Sequence, residues 1–473
     1  MSDKSIHKQI IVIGAGPGGY TAAFRLADLG HDIALIDNTG MLGGVCLHQG
    51  CIASKTLLHA AQIISQAQEA QSFGITFNDP LIDIEKLRQK KNTIIQKLSH
   101  GLKFLSDKKK IFFINGKASF LNAKTIEVIG PDKTQQILTF DHAIIATGSK
   151  NITLDNLPIS KNILNSSSAL EIENIPKNLL IVGGGYIGLE LGTIYSHLGS
   201  AVSLIEMTAQ LLPGTDPDLT RILEKQLKST FTSIKLNTQI LNVKENSNGL
   251  EITLSDHQGK NHTELFEKIL ICVGRKIDAT VLNLQNTKIE ITPDGFIKTN
   301  TLFQTTEKHI YAIGDVTGKP FLAHKASWEG YGVADILNGQ KIKNTTSCHI
   351  IPSIVYTDPE IASCGLTEIQ AIKENKKIII QSYPWTTSGR AMTLQRTDGL
   401  TKFIIEASSE KILGVSIVGV HAGELIMEGV LAIENGLKVS DLKNLIHPHP
   451  SLAETFYENA LHFYGQNVHQ HKS

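Results

Sequence analysis

The chain is 473 residues long, more than one hydrophobic core usually supports, so two to four domains are expected. Its 45 basic and 45 acidic residues balance, which argues against nucleic acid or an anionic membrane as the main partner. An apolar share of 41% with 39 glycines reads as a soluble globular protein rich in tight turns, and five cysteines are too few for a secreted disulfide framework.

The opening Met1-Ser2-Asp3-Lys4-Ser5-Ile6-His7-Lys8 has neither an apolar signal core nor the look of an Arg-rich leader. No uncharged apolar stretch reaches membrane-spanning length, so a cytoplasmic protein without a membrane partner is expected. The run Ile10-Ile11-Val12-Ile13 predicts a strand feeding Gly14-Ala15-Gly16-Pro17-Gly18-Gly19, then an amphipathic helix to Gly30 and a second strand ending in Asp37. In such a dinucleotide-binding fingerprint the first glycine permits the tight turn, the second admits a pyrophosphate, and the third lets helix pack on strand. The phosphate sits at the helix N-terminus, and Asp37 is placed to accept from ribose hydroxyls.

Cys46 and Cys51 come next, in Gly43-Gly44-Val45-Cys46-Leu47-His48-Gln49-Gly50-Cys51-Ile52-Ala53-Ser54-Lys55. Two thiols five positions apart on a loop-to-helix run can close a disulfide, and such a pair exchanges electrons with a dithiol. Half of a metal site is the alternative. Zinc pairs usually have tighter spacing and a second pair elsewhere, whereas Cys272, Cys348 and Cys364 lie singly, so no metal is expected. Lys108-Lys109-Lys110 reads as a solvated segment.

The fingerprint recurs. Leu179-Leu180-Ile181-Val182 leads into Gly183-Gly184-Gly185-Tyr186-Ile187-Gly188, then Gly199 and a strand ending before Glu206. Each landmark lies 169 residues after its counterpart: 183 against 14, 188 against 19, 199 against 30 and 206 against 37. One such motif is weak; two, each after an apolar strand and each followed by an acid, are strong. Strands ending in Gly148 and Gly274 close the two units. The first unit takes 129 residues from Gly19 to Gly148 and the second 86 from Gly188 to Gly274, leaving an insertion of 43 for the dithiol and a helical stretch. Ile310 to Asp315 reads as a strand returning to the first sheet, which places the second unit inside the first domain's path. After about Thr346, β-like runs at Ile351 to Tyr356, Leu400 to Glu406 and Ile412 to Val420 precede an amphipathic helix around Glu424 to Asn435, an α+β pattern.

Toward its C-terminus the chain carries His447-Pro448-His449-Pro450-Ser451-Leu452-Ala453-Glu454. A histidine can take a thiol proton near neutral pH, and a carboxylate five positions on can fix its tautomer across a turn. The pair His447 and His449 also fits a metal site or simple packing.

Taken together, these motifs resemble the flavin-dependent disulfide reductases, most closely the bacterial dihydrolipoamide dehydrogenases, over essentially the whole length. The resemblance implies an α/β fold with two Rossmann-like dinucleotide-binding domains, the NAD domain inserted in the FAD domain, plus a C-terminal α+β dimerisation domain. The boundaries expected are 1–151 and 279–346 for the FAD-binding parts, 152–278 for NAD and 347–473 for dimerisation. It makes Cys46 the interchange thiol and Cys51 the thiol against the flavin, with Lys55 near the flavin and paired with Glu190. It implies FAD contacts at Gly14, Gly16, Gly19, Asp37, Ala118, Gly148, Asp315 and Ala323, and NAD contacts at Gly183, Gly185, Gly188, Glu206, Ile240 and Gly274. His449, oriented by Glu454, would serve the dithiol of the other subunit of a homodimer. The activity implied is oxidation of dihydrolipoamide with transfer of hydride to NAD, in the service of lipoyl domains and the core of a 2-oxo acid dehydrogenase complex.

Several positions depart from the family. Ala53 replaces the usual proline, His48-Gln49 the usual Asn-Val, Lys276-Ile277-Asp278 the commoner x-Pro-Asn, and Ser451 a threonine. Tyr186 stands where many lipoamide enzymes carry Ile or Val. Glu206-Met207-Thr208 offers a 2′-phosphate repulsion and no arginine, which favours NAD over NADP and disfavours glutathione reductase. Mercuric reductase typically needs a C-terminal cysteine pair, and none follows Cys364. A flavin-bearing scaffold subunit is the non-catalytic alternative, against which the Cys46, Cys51 and His449 set argues.

Overall fold

The structure is a computed structural model and describes residues 5–154, 157–340 and 350–469. The boundary expected at 346/347 and Cys348 lie outside the described residues. The chain divides into two compact units, one of Met1–Thr56, Asp83–Ile152 and Gly274–His349, the other of Leu57–Ile82, Thr153–Val273 and Ile350–Ser473.

The first unit is built on a seven-stranded sheet. Its parallel part runs Phe112–Asn115, Ile33–Asp37, Ile6–Ile13, Gln135–Ile145, with Ile310–Ala312 beside the last of these. The return strand expected near Ile310 is therefore present, pairing Ile310 with Ala143. Antiparallel strands Thr125–Ile129 and Lys117–Asn122 extend the other edge. The central strands are apolar on both faces because both are covered, one by the helices Pro17–Asp28 and Ala323–Leu337, the other by the antiparallel strands and the segment 279–297. The helices Pro17–Asp28 and Ala323–Leu337 meet where the Gly330 backbone approaches Gly18 O; a Cβ on Gly330 would lie 2.6 Å from that oxygen. The insertion supplies helices Gly44–Gln49, Cys51–Glu69 and Ile84–Lys108. The basic run after the last is not simply solvated: Lys109 pairs with Asp28 and lies over the Phe24 ring.

The second unit repeats the nucleotide sheet. Its parallel order is Ser233–Lys235, Ala201–Ile205, Asn178–Val182, Lys268–Ile271, Ile163–Asn165. The repeat holds at the level of register: Ile10 faces Ile33 in the first sheet, and Leu179 faces Val202 in the second, each 169 positions on. A three-stranded antiparallel sheet of Gln239–Asn246, Gly249–Ser255 and Asn261–Phe266 covers Leu180, Val182 and Ile205.

The rest of this unit is a five-stranded antiparallel sheet in the order Ser353–Val355, Glu360–Gly365, Ile412–Gly419, Leu400–Glu406, Ile378–Pro384, with helix Ala422–Glu434 on it. Two of these strands, Glu360–Gly365 and Ile378–Pro384, are absent from the sequence reading; Pro359 and Pro384 at their ends mimic loop signals. The Trp385 indole is fully buried against backbone, and a Cβ on Gly399 would lie 2.1 Å from it. Lys402 is also fully buried, its Nζ 3.1 Å from Asp216, 2.8 Å from Asp218 and 2.7 Å from Glu368. Among the described residues no helix is long and apolar enough to cross a membrane.

Candidate active site

Each nucleotide loop is shaped by backbone contacts that leave no room for side chains. A Cβ on Gly14, where φ is +102°, would lie 2.3 Å from Ala146 O, and one on Gly19 would lie 1.8 Å from Gly14 O. Gly183 and Gly188 repeat this, at 2.4 Å from Cys272 O and 2.2 Å from Gly183 O. A Cβ on Gly16 or Gly185 would meet nothing within 4 Å. These two glycines are N-caps of the helices Pro17–Asp28 and Tyr186–His197, and neither helix start is capped by a side chain. With no side-chain cap at either positive helix end, the start of each helix suits a pyrophosphate.

The acids do more than the sequence suggested. Asp37 Oδ2 accepts from Ala15 N–H at 2.8 Å, and Oδ1 accepts from the Thr39 N–H at 2.8 Å and hydroxyl at 2.5 Å. Glu206 repeats the set through Gly184 N–H at 2.7 Å and the Thr208 N–H and hydroxyl, both at 2.8 Å. Each carboxylate therefore fixes its glycine loop while keeping acceptor capacity for a ribose.

Gly14, Asp37, Gly148 and Asp315 gather at the carboxyl ends of neighbouring parallel strands, the usual ligand side of such a sheet. Gly148 takes φ +69° in the crossing after Gln135–Ile145, and Ser149 Oγ donates to Asp315 Oδ2 at 2.5 Å. Arg275, unremarked in the sequence beyond its glycine, donates Nε to Ser149 Oγ at 2.8 Å and Nη1 to Asn151 at 2.8 Å. In this chain's departure after that arginine, Asp278 pairs with Lys150, which holds the Asp278 carboxyl below its ordinary value. Ala118 is buried on Lys117–Asn122, and Ala323 begins the helix Ala323–Leu337, which has no side-chain cap. In the second unit Gly183 and Glu206 follow adjacent strands, and Ile240 stands at a β-bulge in Gln239–Asn246. Gly274, at φ +112°, opens the third segment of the first unit rather than belonging to the second. Glu190 is 3% exposed in the helix Tyr186–His197 and accepts from Tyr356 N–H at 3.0 Å. Tyr186 is exposed at the start of that helix.

The dithiol hangs from the first loop. Gly43 N–H donates to Ala15 O at 2.8 Å, and a Cβ on Gly44 would lie 2.6 Å from Gly16 Cα. The double glycine before Cys46 was the signal for this contact. The second unit makes the same bond from Leu212 to Gly184 O at 2.9 Å, where no cysteines follow. Cys46 lies in the helix Gly44–Gln49 and Cys51 begins Cys51–Glu69, with Gly50 between. Their thiols are hydrogen-bonded. That bond is the largest cause of a Cys46 pKa well above the ordinary thiol value; burial adds to it and Lys55 opposes it. His48 Nε2 bonds Leu42 O at 2.8 Å, so this departure braces the same loop.

His449 Nδ1 lies 2.8 Å from Glu454 Oε1, and Glu454 Oε2 accepts from Ser451 N–H at 2.7 Å. The His449 side chain is 79% exposed, leaving Nε2 accessible. His447 is instead buried, with Nε2 2.9 Å from Glu428 and its ring against Tyr457. The two histidines are thus separated in role. Among the described residues no group of three or more His, Cys, Asp or Glu could hold a metal ion.

Residues 8–330 match the family described as pyridine nucleotide-disulphide oxidoreductase, and residues 351–460 match that family's dimerisation domain. The chain is 42% identical over 454 residues to a dihydrolipoyl dehydrogenase of Buchnera aphidicola subsp. Schizaphis graminum, covering 96% of this chain and 94% of that one. A dihydrolipoyl dehydrogenase of Vibrio cholerae is 39% identical with the same coverages, and one of Geobacillus stearothermophilus is 36% identical over 99% of both. Among solved structures, the HOCl-induced flavoprotein disulfide reductase RclA of Escherichia coli, as a Cu(II) complex, matches with a TM-score of 0.86 at 27% identity, covering 96% of this chain and 99% of that one. Two nucleotide loops of one design, a thiol pair on the first, and this agreement over almost the full length carry one conclusion: the chain belongs to the pyridine nucleotide-disulphide oxidoreductase family.

Proposed function

We propose that this protein is a dihydrolipoyl dehydrogenase that oxidises dihydrolipoamide through Cys46 and Cys51 and uses FAD and NAD. The observation that carries the reading is the thiol pair held on the first nucleotide loop by Gly43 and Gly44.

The cycle starts with Cys46 and Cys51 joined as a disulfide. His449 Nε2 takes a proton from one substrate thiol, and Glu454 at Nδ1 stabilises the imidazolium. The substrate thiolate attacks Cys46 Sγ; the bond to Cys51 breaks and Cys51 leaves as thiolate. His449 releases that proton to solvent and takes the one from the second substrate thiol, whose thiolate displaces Cys46 as a thiolate and closes the lipoamide disulfide. The Cys46–Cys51 dithiol is left holding the electron pair, for which FAD, when bound, would supply a two-electron acceptor able to pass hydride on to NAD. The first loop, Asp37, Asp315, Gly148, Ala118 and Ala323 would hold FAD. The second loop and Glu206, with Ile240 and Gly274, would hold NAD.

The protein works as a homodimer in which the exposed His449 serves the partner's dithiol, and it acts on the lipoyl domains of a 2-oxo acid dehydrogenase complex. The test is a side-by-side rate with dihydrolipoamide and NAD against glutathione disulfide and NADPH. The first pair should be faster by orders of magnitude. Equal rates, or turnover only with the second pair, would overturn the substrate assignment, and no turnover with either would leave the scaffold reading.

A further inference from the structure

The helix Ala323–Leu337 carries a buried ion pair that no step above uses. Lys325 Nζ lies 3.0 Å from Glu329 Oε1, with side chains 8% and 3% exposed. Such a pair is costly to bury, and breaking it leaves an uncompensated charge. The other Glu329 oxygen, Oε2, accepts from the Gly314 N–H at 2.6 Å. Gly314 takes φ +76°, and this left-handed turn immediately precedes Asp315. The Asp315 carboxylate is held from its other side by Ser149 Oγ, itself held by Arg275. Burial raises the Glu329 carboxyl above its ordinary value, while Lys325 and the Gly314 N–H oppose that rise.

We propose that Glu329 is a positioning residue for the flavin: by holding the Gly314 N–H it fixes the turn that presents Asp315 to FAD, and Lys325 keeps its carboxylate in place. This rests on the reading that Asp315 contacts FAD. One helix thus offers Ala323 at its uncapped start and, two residues and a turn later, the clamp on the neighbouring strand end. A surface role would need no charge at a 3% exposed site, and a purely structural role would need no bond to this particular N–H.

The test compares two double variants of the FAD-loaded protein, Lys325→Met with Glu329→Leu and Lys325→Met with Glu329→Gln. Both remove the buried charges; only glutamine keeps an acceptor for Gly314. The readouts are FAD release, followed by flavin fluorescence on dilution, and the thermal midpoint. Losing one buried acceptor should speed release by about ten- to hundredfold in the leucine variant, with the glutamine variant within about threefold of the unaltered protein. Equal release from both would overturn the proposal. Asp315→Ala runs alongside: if FAD is retained there as in the unaltered protein, it is the reading of Asp315 that fails. If the leucine variant does not fold, amide exchange around Gly314 in the unaltered holoprotein decides. Protection beyond that of Thr317 and Gly318 supports the clamp, and free exchange overturns it.

Discussion

Glu206 Oε2 accepts from the backbone N–H of Gly184 at 2.7 Å, so this acid anchors the nucleotide loop whether or not a ribose is bound. Substitutions at Glu206 must then be sorted by what they leave on the loop. Glu206→Gln keeps an oxygen for either Gly184 or Thr208 but loses the charge that repels a 2′-phosphate. Its NAD Kd should rise by about tenfold and its preference over NADP should narrow. Glu206→Ala should raise the NAD Kd further, because Gly184 loses its partner as well. Binding titrations with both nucleotides check this; equal Kd values for the two variants would show that the loop anchor contributes nothing.

The repeat from which that anchor follows was legible because backbone sterics dictate it. Gly14 and Gly183 are forced by the close approach of Ala146 and Cys272 carbonyls, and any chain with this loop must place glycine there. The doubled bonding of Asp37 and Glu206 was not legible, since a ribose contact and a loop anchor call for the same residue type. Lys402 was hidden for a different reason. In Leu400-Thr401-Lys402-Phe403 it sits where alternation predicts a solvent-facing charge, and its partners Asp216 and Glu368 come from distant segments. The strand Ile378–Pro384 follows Lys376-Lys377 and ends in proline, both loop signals locally, yet its antiparallel pairing with Leu400–Glu406 overrides them.

Lys402→Met removes the cation from three carboxylates, of which Asp216 is 1% exposed. Asp216 also accepts from the Glu368 N–H at 3.0 Å and the Ile369 N–H at 3.3 Å, so it is held in place while it loses its buried cation. The loss should be about 3–5 kcal/mol of stability, read as a lower thermal midpoint of the FAD-loaded protein. A drop no larger than that of an exposed Lys→Met control, such as Lys438→Met, would show the network to be weak.

His449→Gln should slow dihydrolipoamide oxidation by about 10²–10⁴-fold, the usual contribution of a positioned acid–base, while NADH-to-dye transfer stays close to normal. Glu454→Gln should cost less, because an amide oxygen still accepts from His449 Nδ1 or Ser451 N–H. Steady-state rates with both assays check the split. Equal losses in the two assays would mean that the substitution disturbs the fold rather than proton transfer.

Ala53 is the third residue of the helix Cys51–Glu69, a first-turn site where proline fits, and it is fully buried. Ala53→Pro, the residue common in the family, should therefore be accepted and should stabilise by about 0.4–1 kcal/mol through the unfolded chain. Thermal unfolding checks it. A lowered midpoint would mean that the ring does not fit beside the dithiol loop.

His447 provides a pH signature separate from catalysis by His449. Its Nε2 bond to Glu428 raises its pKa above 6.5, with Glu454 adding to the rise and burial opposing it. Because the folded value exceeds the unfolded one, the pair contributes its full stability below about pH 6.5 and loses it as pH climbs through the raised value. Glu428→Gln should therefore destabilise by about 1.5–3 kcal/mol at pH 6, as expected for a hydrogen bond to a charged group, and by far less at pH 9. Thermal midpoints of both proteins across this range check the sign. A difference that grows with pH would mean that His447 is neutral in the folded protein, with Glu428 then serving only as an acceptor.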